Sequence, residues 1–204
     1  MRNGDVSFWW DAVGVPAPRN VLRGDTHADV CIVGGGFTGL WTAYYLKRAD
    51  PLLRVVIVEQ KFCGYGASGR NGGWLMGAMS GQRRAYERVS GRPGVLALGA
   101  ALRATVAEVA HVCDAEGIDA DLVHGGELTV ARTPAQVQRL RAYIDDEHSW
   151  GETDHVLLDA SQTRERAAVA GALAGAWTPH CARIQPVKLV VGLRTAVAAL
   201  GVEI

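Results

Sequence analysis

Residues 30–48 read VCIVGGGFTGLWTAYYLKR, a β-branched apolar run that turns glycine-rich at its centre and resumes with apolar residues at helical spacing. The run before the glycines has the composition of a strand covered on both faces. After them Leu40, Ala43, Tyr44 and Lys47 keep a three-to-four step until Pro51. The period changes inside the glycines. A second β-branched run, LRVVIVEQ at 53–60, follows, so residues 29–60 have the make-up and length of a βαβ unit.

Gly34, Gly36 and Gly39 form G-x-G-x-x-G at the strand-to-helix turn, with Phe37 and Thr38 inside the motif. Each glycine has a mechanical reason. Gly34 allows the tight turn, Gly36 leaves room for a pyrophosphate against the backbone, and Gly39 lets the helix pack close to the strand. The helix N-terminus carries roughly half a positive charge and suits phosphate. Glu59, twenty residues past Gly39 at the end of the second strand, would accept hydrogen bonds from ribose hydroxyls, with Gln60 beside it. Preceding strand, following helix, second strand and terminal acid together point to a dinucleotide. The acid argues against a 2′-phosphate and hence against NADP, and leaves NAD and FAD open.

Residues 61–79, KFCGYGASGRNGGWLMGAM, form a second glycine-rich stretch too long for a mere connector. Ser68 and Asn71 offer side-chain hydrogen bonds, Arg70 a charge for phosphate, and Gly69, Gly72 and Gly73 open backbone amides. A longer cofactor bent across the sheet would continue here.

The stretches ADVCIVGGGFTGLWTAYYLK and VVIVEQKFCGYGASGRNGGW resemble those of the FAD-dependent amine oxidoreductases of the D-amino acid oxidase (glycine/sarcosine oxidase-like) superfamily, gamma-glutamylputrescine oxidoreductase type. IQPVKLVVGLRTAVAALGVEI at the end is similar to a helix and strand that reach the cofactor's adenine in those proteins. The resemblance implies an α/β, Rossmann-like FAD-binding βαβ domain interleaved with part of an α+β substrate domain. It implies FAD as cofactor, with Gly34, Gly36 and Gly39 at the pyrophosphate and Glu59 at the adenosine ribose. Ser68, Gly69, Arg70, Asn71, Gly72 and Gly73 would border pyrophosphate, ribityl chain and flavin ring. It also implies an amine or amino acid substrate whose C–N bond is oxidised to an imine by hydride transfer to flavin N5, with reoxidation by O2. No side-chain nucleophile is required, and no catalytic residue is assigned.

The rest of the chain frames these motifs. Residues 1–28 read as an irregular arm with Trp9 and Trp10 as docking surface or anchor, and 29–204 as the oxidoreductase domain. Amphipathic helices are read at 93–116, ended by Gly117, and from Thr133-Pro134 onward, where threonine caps and proline takes the first helical position. ELTVA at 127–131 reads as a strand, and weaker helices cover 160–169 and 186–200. Val202 and Ile204 look like the opening of another buried strand, which suggests a piece of a longer polypeptide.

In 204 residues, 49% hydrophobic, 21 basic side chains balance 21 acidic ones, so the totals show no footprint for nucleic acid. No uninterrupted apolar stretch reaches membrane-spanning length, and the reading is a soluble cytoplasmic protein without a membrane partner. The four cysteines show no zinc spacing and read as reduced, Cys63 being the one in a loop. DDEH at 145–148 would be spread around a helix as a solvated face rather than a metal cluster. Two other readings stand beside the flavoenzyme: an NAD-dependent dehydrogenase, and a non-catalytic nucleotide-binding fragment. Nothing in the sequence specifies an oligomeric state.

Overall fold

The computed structural model describes residues 6–17, 21–22 and 24–204. Residues 1–5, 18–20 and 23 of the N-terminal arm lie outside them. In chain order the elements are α1 (Phe8–Val13), β1 (Val30–Val33), α2 (Phe37–Ala49), β2 (Val55–Val58), β3 (Trp74–Met76), α3 (Arg83–Ala115), β4 (Val123–His124) and β5 (Glu127–Ala131). They continue with α4 (Pro134–Ser149), β6 (Val156–Asp159), α5 (Ala160–Arg166), β7 (Ala174–Thr178), β8 (Cys181–Arg183) and α6 (Pro186–Ala199). The fold is α/β, and it divides into two compact units of interleaved segments. One holds Met1–Trp74, Ala110–Leu122 and Ile184–Ile204, the other Leu75–Val109 and Val123–Arg183.

In the first unit β1 and β2 pair in parallel, Val30 opposite Val55 through Val33 opposite Val58, and α2 is the crossover between them. Leu40 and Ala43 are fully buried on α2, where Gly39 and Ala43 keep the contact face small. β2 is flanked by β1 on one edge and by the chain's last residues on the other. Glu203 bridges Val56 in parallel, with the Ile57 N–H donating to Glu203 O at 2.8 Å; where a strand was anticipated at Val202–Ile204 the structure has this isolated bridge. α6 packs on α2 through Val187, Val190, Leu193 and Val197, all completely buried. The arm is not irregular throughout, as its composition suggested. Ser7 Oγ accepts from Trp10 N and starts α1, and the Trp10 ring is only 2% exposed, so that tryptophan is an anchor. Its indole N–H donates to Gly64 O at 3.3 Å.

Two further sheets are ordered β3-β8-β4, with β4 and β8 antiparallel, and β5-β7-β6, antiparallel throughout and within the second unit. Glu127 opposite Thr178 and Val156 opposite Trp177 set the register of the larger one. Its core joins Ala131, Ala174 and Ala176 to Leu140, Ile144 and Val137 of α4. The start of α4 is as read: Thr133 Oγ1 accepts from Gln136 N while the Gln136 side chain accepts from Thr133 N. Thr133→Ala is expected to lower stability by about 1 kcal/mol, the usual worth of such a cap, as a shift of the urea midpoint with unchanged slope.

Several local expectations change. The long loop at 61–79 contains the short strand β3 and a 3-10 turn at Ala67–Gly69. Helix α3 starts at Arg83, because a polar stretch precedes the apolar periodicity; Gly91, at φ 66°, interrupts it two residues before Pro93. α5 stops at Arg166 instead of 169. The DDEH segment is not a solvated face throughout, since Glu147 is 6% exposed and paired with Arg83. By length and composition α3 is also long and apolar enough to cross a membrane. Its buried Val95, Val106, Val109 and Cys113 fall along one face, and its Arg103 is ion-paired to Glu152.

Candidate functional site

The site in the first unit starts at the end of β1. Gly34 takes φ 103°, a backbone region closed to most side chains, while its N–H still donates to Val58 O at 2.8 Å. Gly36 is the N-cap of α2, with extended backbone and no side chain of its own to cap the helix. Ser68 does this instead, its Oγ accepting from Phe37 N at 2.9 Å. A Cβ on Gly36 would stand 3.0 Å from that same oxygen. A Cβ on Gly39 would run into the Gly34 carbonyl oxygen, and Ile32 Cγ2 would lie 3.2 Å away. The amides of Thr38 and Gly39 sit in the first turn, where no earlier helical carbonyl exists to receive them. Anions are stabilised at such a terminus.

Glu59 faces this turn from the end of β2. Its Oε2 accepts from Gly35 N at 2.8 Å and its Oε1 from Lys61 N at 2.9 Å. A carboxylate oxygen can accept more than one hydrogen bond, so the group holds the turn and keeps acceptor capacity. Under the turn lies Cys63, buried, with its sulfur 2.5 Å from where a Gly35 Cβ would be.

The second glycine stretch is brought against the first by Ser68. Gly69 is buried beside Trp10, and its carbonyl accepts from Ser7 Oγ at 2.6 Å. Asn71 ties the loop to itself: its Oδ1 accepts from Gly73 N at 2.9 Å, and its Nδ2 donates to Ser68 O at 3.0 Å. Gly73, at φ 74°, lies so close to Ile184 that a Cβ would be 2.5 Å from that carbonyl oxygen. Gly72 faces open space. Arg70 is used inside its own loop, Nε donating to Tyr65 O at 2.7 Å with the guanidinium 4.8 Å over the Tyr65 ring.

A cavity of about 580 Å³ adjoins the end of β2, lined among others by Glu59, Gln60, Lys61, Phe62, Arg194 and Glu203. Arg194, on α6, was not singled out from the sequence. Its Nε is buried and has no hydrogen-bond partner, an unsatisfied buried donor. The only sequence signal was a cation set in the apolar run VVGLRTAV. Of the other residues weighed from the sequence, His124 sits in β4 with Nε2 2.7 Å from Pro179 O, and Trp74 is largely exposed. Among the described residues no group of three acidic, histidine or cysteine side chains could hold a metal ion.

This geometry provides an amide-lined helix start, two loops whose close approach excludes side chains, and a carboxylate one strand away. It suits a diphosphate joined to a diol. Comparison with known proteins agrees. The family model described as FAD dependent oxidoreductase matches residues 29–204. Gamma-glutamylputrescine oxidoreductase of Escherichia coli K12 is 32% identical over 98% of this chain and 46% of its own length. The chain thus spans about half the length of the curated relatives it matches. Among solved structures, L-amino acid deaminase from Proteus myxofaciens superposes with a TM-score of 0.71 at 15% identity, over 93% of this chain and 40% of that one. Glycine oxidase from Bacillus cereus superposes at 0.63 with 21% identity, over 87% and 45%.

Proposed function

The chain belongs to the FAD dependent oxidoreductase family, and from that premise we propose that residues 29–204 form the FAD-holding part of an enzyme that oxidises the C–N bond of an amine or amino acid. The family's cofactor decides between the two dinucleotides that the first motif left open. The observation that carries the proposal is the joining of both glycine stretches at the start of α2 through Ser68, with Glu59 beside them.

The residues present fit the cofactor. A Cβ on Gly36 would crowd the Ser68 hydroxyl at the helix start, Gly72 faces open space, and Arg194, which lines the adjoining cavity, has a buried Nε without a partner. In this reading Gly34, Gly36, Phe37, Thr38 and Gly39 hold the pyrophosphate against the helix start. Glu59 accepts from the adenosine ribose hydroxyls, with Gln60 next to it. Ser68, Gly69, Arg70, Asn71, Gly72 and Gly73 border pyrophosphate, ribityl chain and flavin ring. Bound FAD would supply hydride acceptance, which no side chain can provide. The chain's own part is to bind and orient: Ser68 fixes the spacing of the loops, Glu59 fixes the turn at Gly35, and Trp10 closes the base of the second loop. The net reaction proposed is amine to imine, with O2 as electron acceptor.

The purified 204-residue chain tests this by its visible absorption. A flavin spectrum that survives gel filtration, or appears with added FAD, supports the reading; a chain that stays colourless with excess FAD overturns it. Glu59→Gln sharpens the assignment. It replaces a charged acceptor that serves the turn and the ribose together, so FAD affinity should fall about ten- to a hundredfold in a fluorescence titration. Unchanged affinity would remove Glu59 from the site.

A further inference from the structure

Trp10 anchors the N-terminal arm, but its neighbour Trp9 is only partly covered and has a different partner. Its indole N–H donates to Asn71 O at 2.7 Å, in the second glycine stretch. The ring lies along that stretch too, since a Cβ on Gly73 would stand 3.5 Å from Trp9 Cζ2. Gln185, buried at the N-cap of α6, secures the arm in turn, its Nε2 donating to Trp9 O at 3.4 Å. Ser7 holds Gly69 O, and the Ile184 N–H holds Gly73 O at 2.8 Å. Every second carbonyl from Gly69 to Gly73 is therefore occupied from outside the loop.

The bonding continues beyond Asn71. Its side chain joins Ser68 O to Gly73 N, and Ser68 Oγ receives Phe37 N at the start of α2. Trp9 thus stands three hydrogen bonds from that helix start, and all four residues lie in the first unit. A loop outside regular secondary structure keeps one shape only where contacts of this kind fix it. A carbonyl held by the arm is also not free to turn its negative end toward a bound anion.

Resting on the reading that this site takes FAD, we propose that Trp9 is a positioning residue of the cofactor site, setting the second glycine stretch against the start of α2 through Asn71 and Ser68. The arm, which precedes the residues matched by the family model, is then a working part of the site. Trp10 fastens the arm, and Trp9 uses that fixed point to hold the loop.

Trp9→Phe keeps a ring against Gly73 and deletes only the donor. In the flavin-free 204-residue chain, trypsin should cut after the exposed Arg70 about two- to tenfold faster in the variant, with cutting after Arg139 and Arg141 of α4 unchanged. FAD affinity in a fluorescence titration should fall by a similar factor, about two- to tenfold. At saturating FAD the visible circular dichroism of the bound flavin should differ from the parent's, a signature that a mere loss of stability would leave in place. Unchanged cutting at Arg70, equal affinity or identical dichroism, in a parent that does bind FAD, overturns the proposal while the flavin reading stands. A parent that takes no FAD overturns that reading and the proposal with it. Should Trp9→Phe fail to fold, hydrogen exchange of the Trp9 indole N–H in the parent chain decides: it should slow when FAD binds, and an unchanged rate overturns the assignment.

Discussion

Replacing Gly39 by alanine is expected to cost the chain both its stability and its capacity for FAD. The added methyl meets a carbonyl oxygen, that of Gly34, and a backbone atom cannot rotate out of the way. Gly34 is itself held by its bond to Val58 O and by its left-handed conformation. Relief requires α2 to lift from β1, which loosens the buried Leu40, Ala43 and Tyr44. Overpacking of this kind costs about 1–3 kcal/mol, or roughly 2–12 °C in melting temperature for a chain of this size. Because the same movement displaces the helix start, flavin absorbance should disappear from the purified variant. Gly72→Ala, at a position facing open space, is the control and should melt with the parent chain. Equal melting temperatures for the two variants would contradict the close contact of strand and helix.

Arg83→Met should be comparably severe in the second unit. It strands the Glu147 carboxylate, whose side chain is only 8% exposed, without the guanidinium that grips it at two points. Removing one partner of a buried pair costs about 3–5 kcal/mol, because the remaining charge stays desolvated. Removing both partners at once leaves no such charge. The double variant Arg83→Met with Glu147→Leu should therefore recover much of the loss in a urea titration. Losses that simply add would show that the two side chains contribute separately.

How much of this was legible beforehand depended on whether the cause was local. The βαβ unit, the capped start of α4 and the strand at Glu127–Ala131 all follow from short-range pattern, and each has its anticipated place. β7 escaped notice for the opposite reason. Its sequence, AGAWT, has little strand preference of its own, and it exists because β5 and β6 pair with it on either side. Gly175 is needed there because Thr163 Oγ1 would lie 2.9 Å from a Cβ, a requirement set twelve residues upstream. The glycine motifs could be read as a site because their spacing is itself the signal. Arg194 could not, since nothing in α6 announces that this residue lines the cavity beside Glu59 with a buried, unpartnered Nε. Glu147 looked solvated because its partner stands 64 positions away in the chain.

The parallel bridge between Val56 and Glu203 bears on how the molecule is made. Two segments about 150 residues apart in sequence must meet to form this bridge, and closing so long a loop costs about 4 kcal/mol of chain entropy. During synthesis β1, α2 and β2 emerge first and wait, with one edge of β2 uncovered, while the entire second unit is translated. That unit has all its segments available earlier and can condense first. Folding of the β1–β2 sheet should then be the slow, late phase, and a nascent chain halted before residue 200 should be more easily cleaved by protease around β2 than within β5 and β7.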